Sequence, residues 1–423
     1  MNSKLQRDLD ELLDKNIITA EVSHNIRSYY ATKAADRPNR LFTIFGVFGA
    51  LLVGLGIILI LAHNWDDFSK TTKTIWAFAP LLIGQGLTGF SLFKDKSATW
   101  KEASGTFLFF AVGASLSLVS QIYNIPGEMS SFLLTWILLC APLIYLLKSH
   151  ALALLHLVFI TAYACTLGYF DGDKTPWLYI PLFGMLLPYY LQLIKNNEDG
   201  NITSIFHWLL PISITISLGA FVVGHDTIGF LMYVALYGLC YNLGQLPLFT
   251  DKKLRTNGYL IVGSLGMIFL LVMVSFRWFW EDIPESFNYS PQDSLITAML
   301  LLSGVGVLIF LFNKKVLKGF NLFQYAFLIF AAIFFTKALG DILPMVLTNL
   351  LVFALGIYAI RIGSKKHHFG ILNYGLIIIT VLIACRFFDT NIDFVIRGVL
   401  FLLLGVGFFL ANYLMLKQQS KNS

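Results

Sequence analysis

The side chains best able to do chemistry are a few charged and amide groups at the ends of long apolar stretches. Arg386 and Arg397 flank Asp389 and Asp393, and Lys337 precedes Asp341 by one helical turn. A guanidinium presents a planar fork of donors that matches a carboxylate or phosphate. The two arginines are therefore candidates for holding an anion, with Asp389 and Asp393 orienting them. On a continuous helix the i,i+4 spacing puts Lys337 and Asp341, and likewise Asp393 and Arg397, on one face where each couple can pair. Asn64, Trp65, Gln121 and Tyr123 are the neutral candidates, able to supply hydrogen bonds and an aromatic wall. Ionisable groups among apolar residues of a membrane are costly, so each invites a functional reading. Against it stands a structural one, in which the arginines snorkel or pair and Asn64 and Trp65 cap and anchor a helix end.

Other chemistries lack their residues. There is no Walker A, H-E-x-x-H or G-x-S-x-G pattern, which argues against an ATP-driven pump and against a zinc or serine intramembrane protease. Cys140, Cys165, Cys240 and Cys385 lie in or beside separate apolar stretches without C-x-x-C spacing, and read as small core residues. His367 and His368 have no third ligand spaced to complete a metal site. No cofactor is implied.

The elements that position these residues follow from composition. Of 423 residues, 57% are hydrophobic and only 13% charged, about half the charge of a soluble domain. The stretch from 41 to 67 is apolar as far as His63-Asn64-Trp65-Asp66, long enough at about 1.5 Å per residue to cross a hydrocarbon core of roughly 30 Å. The same format recurs to residue 416. The sequence therefore predicts an all-α, polytopic transmembrane helix bundle of about 14 spans over residues 41–416. Residues 417–423 form a cytoplasmic tail in this reading. Residues 1–40 lack a hydrophobic leader and read as a cytoplasmic helical hairpin, because Leu5, Leu9, Leu12 and Leu13, then Val22, Ile26, Tyr29 and Tyr30, recur at helical spacing.

Lys and Arg alternate with the stretches, favouring one set of connections by about four to one. This bias places both termini in the cytoplasm and Arg386, Arg397, Lys337, Gln121, Tyr123, Asn64 and Trp65 at outer ends. It also explains the formal charge of +6 without nucleic acid. The small-residue motif of 51–59, 301–309 and 402–410 (LLVGLGIIL, LLSGVGVLI, LLLGVGFFL) suits close helix packing.

Three further strings carry a family resemblance: H-N-W-D at 63–66, S-Q-I-Y-N-I-P-G-E at 120–128, and S-F-L-L-T-W at 131–136. With the N-terminal hairpin, they make residues 1–150 resemble the prokaryotic membrane proteins grouped as domain of unknown function 2157. The closing R-F-F-D and R-G-V-L-F-L-L-L-G-V-G are similar to the ends of such proteins. The resemblance implies a bacterial inner-membrane location and many spans, and it brings no activity with it.

These observations lead to one expectation: an outward-facing polar cavity that binds or transports a small or lipid-linked anionic molecule, with the lipid bilayer as its surroundings. Two alternatives belong to other classes. One is a membrane enzyme of the lipid-linked transferase type, using Glu281, Asp282, Glu285 and Asp293 of the loop from Arg277 to Asp293. The other is a scaffold or sensor whose N-terminal hairpin docks a protein partner.

Overall fold

A computed structural model describes residues 3–15, 17–35, 65–170, 174–222, 226–249, 252–283, 289–316 and 320–389, with scattered positions between 399 and 413. Every regular element among them is helical. The chain divides into two compact units, Met1–Ala77 and Phe78–Ser423.

In the first unit α1 (Ser3–Asp14) and α2 (Ala20–Ala35) form a short helical pair. Arg27 of α2 pairs with Asp10 of α1, Lys15 pairs with Glu11 one turn back at 2.6 Å, and Leu9 and Ser23 are buried. At the start of α3 (Lys70–Phe93), Ser69 Oγ accepts the Thr72 amide at 3.2 Å, the side-chain cap that an unsatisfied first turn requires.

The second unit is a helix bundle. Its elements after α3 are α4 (Ala98–Tyr123), α5 (Met129–Leu147), α6 (His150–Cys165) continued by a π-turn over Thr166–Phe170, α7 (Tyr179–Asn196) and α8 (Asn201–Val222). Then come α9 (Asp226–Leu243), α10 (Gly258–Val274), the short α11 (Arg277–Glu281), α12 (Pro291–Asn313), α13 (Leu322–Phe335), α14 (Ile342–Lys365) and α15 (Phe369–Asp389).

Nine helices among the described residues are long and apolar enough to cross a membrane, and in none of their apolar windows is more than 50% of the residues buried. Apolar side chains left outside in that number need lipid as their solvent, so this is a multi-pass membrane bundle. Helical hydroxyls are kept satisfied in place: Thr135, Thr161, Thr215, Thr297, Thr348 and Thr380 each donate to the carbonyl four residues back.

The expected count of about fourteen spans is corrected to these nine. The stretch at 41–63 lies outside the described residues, as does that at 393–416 apart from scattered positions between 399 and 413. Three central segments fall short for a physical reason. Helix α7 is too polar, with Tyr189, Tyr190, Gln192, Lys195 and Asn196 in its second half, and the apolar part of α9, Ile228–Leu243, and the whole of α10, Gly258–Val274, are shorter than the nine.

Those two helices serve the interior instead. Ile228, Met232, Leu236 and Cys240 on one face of α9 belong to a core built mainly from α5 to α8, while Leu231, Val234, Tyr237 and Tyr241 belong to a second core built from α10, α13, α14 and α15. Helix α9 is thus the partition between two packed halves. Gly263 of α10 allows the approach, since a Cβ there would collide with the backbone nitrogen of Tyr241.

Polar contacts sort the helix ends into two sets. Glu102 reaches Ser149 and His150, and Lys252 reaches Glu198 at 3.0 Å, joining connections rich in Lys. At the other ends Lys174 meets Glu128 at 3.3 Å and Gln292 donates to Thr175 at 2.7 Å.

Candidate functional site

The ends of α10, α13, α14 and α15 meet around one irregular segment, residues 275–283. Phe276 adopts an extended conformation that breaks α10 from α11, so the last carbonyls of α10 need partners from elsewhere. They find them. Ser275 Oγ donates to Val272 O at 2.6 Å, and the fully buried Trp280 donates from Nε1 to Val274 O at 2.8 Å. From α14, Asn349 Nδ2 donates to Ser275 O at 2.9 Å.

Two cations converge on this scaffold. Arg386, half-buried on α15, donates to Ser275 Oγ at 3.1 Å, and its guanidinium carbon lies 4.7 Å from the centre of the Phe276 ring, a cation–π arrangement. Lys337 donates from Nζ to Trp280 O at 2.5 Å and forms an ion pair with Asp341. The Lys337 side chain is 3% exposed and that of Asp341 39%, so the ammonium is withdrawn from water while its counter-charge keeps contact with it.

The pair closes by a different route from the one its spacing suggests. Helix α13 ends at Phe335, Thr336–Leu339 form a 3-10 turn, and Gly340 takes φ +110°, a left-handed corner open to glycine. Asp341 then sits at the start of α14. A continuous helix would have carried the two along one face, whereas here a tight corner folds them together.

The other residues singled out by sequence fall elsewhere. Gln121 and Tyr123 are exposed in the last turn of α4, which Asn124 ends in a left-handed conformation. Helix α4 packs on α5 and α6, while α15 packs on α14 and α10, so Gln121 and Tyr123 belong to a different helix group from Arg386. Trp65 lies in the turn ahead of α3, 5.9 Å beneath Lys73 Nζ. Asp389 closes α15. Asn64, Asp393, Arg397 and Glu285 lie outside the described residues. Among the loop acids, Glu281 is held by Arg277 at 2.7 Å and Asp293 is buried in the first turn of α12, two separate engagements.

Sequence reasoning does not make Ser275, Phe276 or Trp280 site residues. Trp280 and Phe276 carried a signal as aromatic residues crowded at a span end, whereas Ser275 is ordinary until Arg386 reaches it. Glu102 was also missed. Its carboxylate accepts the His150 and Ala151 amides at 2.7 and 3.0 Å and the Ser149 hydroxyl, capping α6 from another helix. Among the described residues no group of three His, Cys, Asp or Glu is placed to hold a metal.

An all-α, polytopic membrane bundle preceded by a short helical pair is the class that these elements define. Residues 10–153, about a third of the chain, match the family model described as "Predicted membrane protein (DUF2157)". No curated protein and no solved structure matches the chain.

Proposed function

We propose that this protein binds the anionic group of a small or lipid-linked molecule at the outer polar ends of its helices, with Arg386 as the contacting cation and Lys337 and Asp341 supporting the scaffold beneath it. The observation that carries this reading is the convergence of Arg386 and Lys337 on the single segment 275–280. An aromatic face under a guanidinium fixes its plane and so the direction of its planar set of donors. Arg397, with Asp389 and Asp393, contributes to anion binding in this proposal, and the neutral hydrogen-bonding role expected of Asn64, Trp65, Gln121 and Tyr123 is part of the same proposal.

The location proposed is a bacterial inner membrane, with the N-terminal pair and both termini cytoplasmic. The support is the excess of Lys and Arg in alternate connections and the contacts that join those connections to each other. Residues 1–40, 41–416 and 417–423 are the hairpin, membrane domain and tail of this proposal.

The test is mass spectrometry of molecules retained by the protein in native-lipid discs, run on wild type, Arg386→Ala and Arg386→Lys. An anionic species enriched with wild type should fall about tenfold or more in Arg386→Ala, the worth of one charged hydrogen bond, and partly in Arg386→Lys. Identical complements from three well-folded proteins would overturn the reading.

A further inference from the structure

A cleft of about 300 Å³ opens at the ends of α5 and α6, and none of the residues that line it is Arg386 or a partner of Arg386 named above. That volume is at the lower end for a small-molecule site. Its apolar lining includes Leu134 of α5, Leu167 of the π-turn and the exposed Leu178. Its mouth carries Glu128 and Lys174, an opposite-charge couple 3.3 Å apart with both side chains more than half exposed.

Two independent features indicate a ligand. Tyr163 lines the cleft and is 5% exposed, yet its hydroxyl makes no hydrogen bond among the described residues. That hydroxyl is not closed off inside the protein but opens on the cleft, where it can donate to an acceptor of a bound molecule. The second is the π-turn Thr166–Phe170, which presents Leu167 to the cleft. A π-turn is costly and rare, and it recurs where a helix is re-aimed for function. Here it is held from both sides, by the Thr166 hydroxyl on Ala162 O at 2.9 Å and by Tyr169 on Ile216 O at 2.8 Å.

We infer that this cleft binds a zwitterionic amphiphile, whose ammonium meets Glu128, whose phosphate meets Lys174, and whose apolar part lies on Leu134, Leu167 and Leu178 with an ester oxygen accepting from Tyr163. An exposed pair contributes little by itself, so a ligand carrying both charges can insert between the two side chains at small cost. A headgroup of a single sign would meet repulsion from one of them. The inference is independent of Arg386.

Native mass spectrometry of the full chain tests it, with short-chain phosphatidylethanolamine, short-chain phosphatidylglycerol and free phosphoethanolamine as probes. Wild type should retain the ethanolamine lipid several-fold over the glycerol lipid. Tyr163→Phe, which removes one hydroxyl, should lower that retention about three- to tenfold. Leu167→Trp should fill the cleft and abolish it, and Leu134→Trp does the same from α5 if the π-turn does not tolerate tryptophan. Free phosphoethanolamine competing as well as the lipid supports the same headgroup chemistry from a soluble source. Equal retention of both lipids, or retention unaffected by Tyr163→Phe and both tryptophans, would overturn the inference.

Discussion

Lys337 donates to the main-chain oxygen of Trp280 from a position 57 residues away, and both side chains are closed off from solvent. The bond ties the corner after α13 to the short α11, so the ammonium serves as a structural donor as well as a charge. Losing it should be felt. Lys337→Met leaves Trp280 O without this donor and Asp341 without its partner, which should destabilise the protein by about 2 kcal/mol, between the values for exposed and buried pairs because Asp341 is partly hydrated. Asp341→Asn should cost less. Unfolding midpoints in detergent check both, and a Lys337→Met midpoint equal to wild type would show that the bond contributes nothing.

The paired glycines of 301–309 should behave differently from each other. A Cβ at Gly304 would press on the buried ring of Phe327, whereas a Cβ at Gly306 meets nothing within 4 Å. Gly304→Ala should therefore destabilise by about 1–3 kcal/mol through overpacking. Gly306→Ala should be neutral or stabilising by up to ~1 kcal/mol through helix propensity. Thermal unfolding of the two variants side by side decides it; equal effects would mean that Gly304 does not pack against the Phe327 ring.

Glu102 should govern the first turn of α6. Glu102→Ala removes an acceptor for two amides and a hydroxyl, for an expected loss of about 1–2 kcal/mol, and Glu102→Gln should lose about half of that. Hydrogen exchange localises the effect, because the His150 and Ala151 amides should lose protection first.

Asp95, in the connection between α3 and α4, accepts from Lys101 Nζ at 2.6 Å, and this hydrogen bond holds its carboxyl below the ordinary value of 3.8. With the folded value depressed, the contribution of the contact is present above pH 3.8 and is lost as pH falls through the depressed folded value. A carboxyl carbon titration followed by NMR should give a midpoint below 3.8 in wild type, returning toward it in Lys101→Met. An unmoved midpoint would leave the shift without its stated cause.

Membrane residence and all-helical class were legible in the sequence, because a hydrocarbon solvent demands long apolar helices that satisfy their own backbones. The candidate charges were legible too, since charge is rare there and stands out. The span count was not. Hydropathy reads α9 and α10 as membrane segments, but it does not separate a helix covered by lipid from one covered by other helices, and α9 buries two opposite faces in two cores. Nor was the partner of Arg386. Sequence places that arginine near Asp389 and Asp393, whereas packing of α15 on α10 and α14 carries it to Ser275 and Phe276, more than a hundred positions away. Apolar periodicity and helical spacing act within a few turns, so the sequence by itself determined the material of the bundle, whereas even the neighbours Lys337 and Asp341 pair through the Gly340 corner and not along one helix. Which long-range ends meet depends on how helix surfaces interlock, and that only the tertiary structure decided.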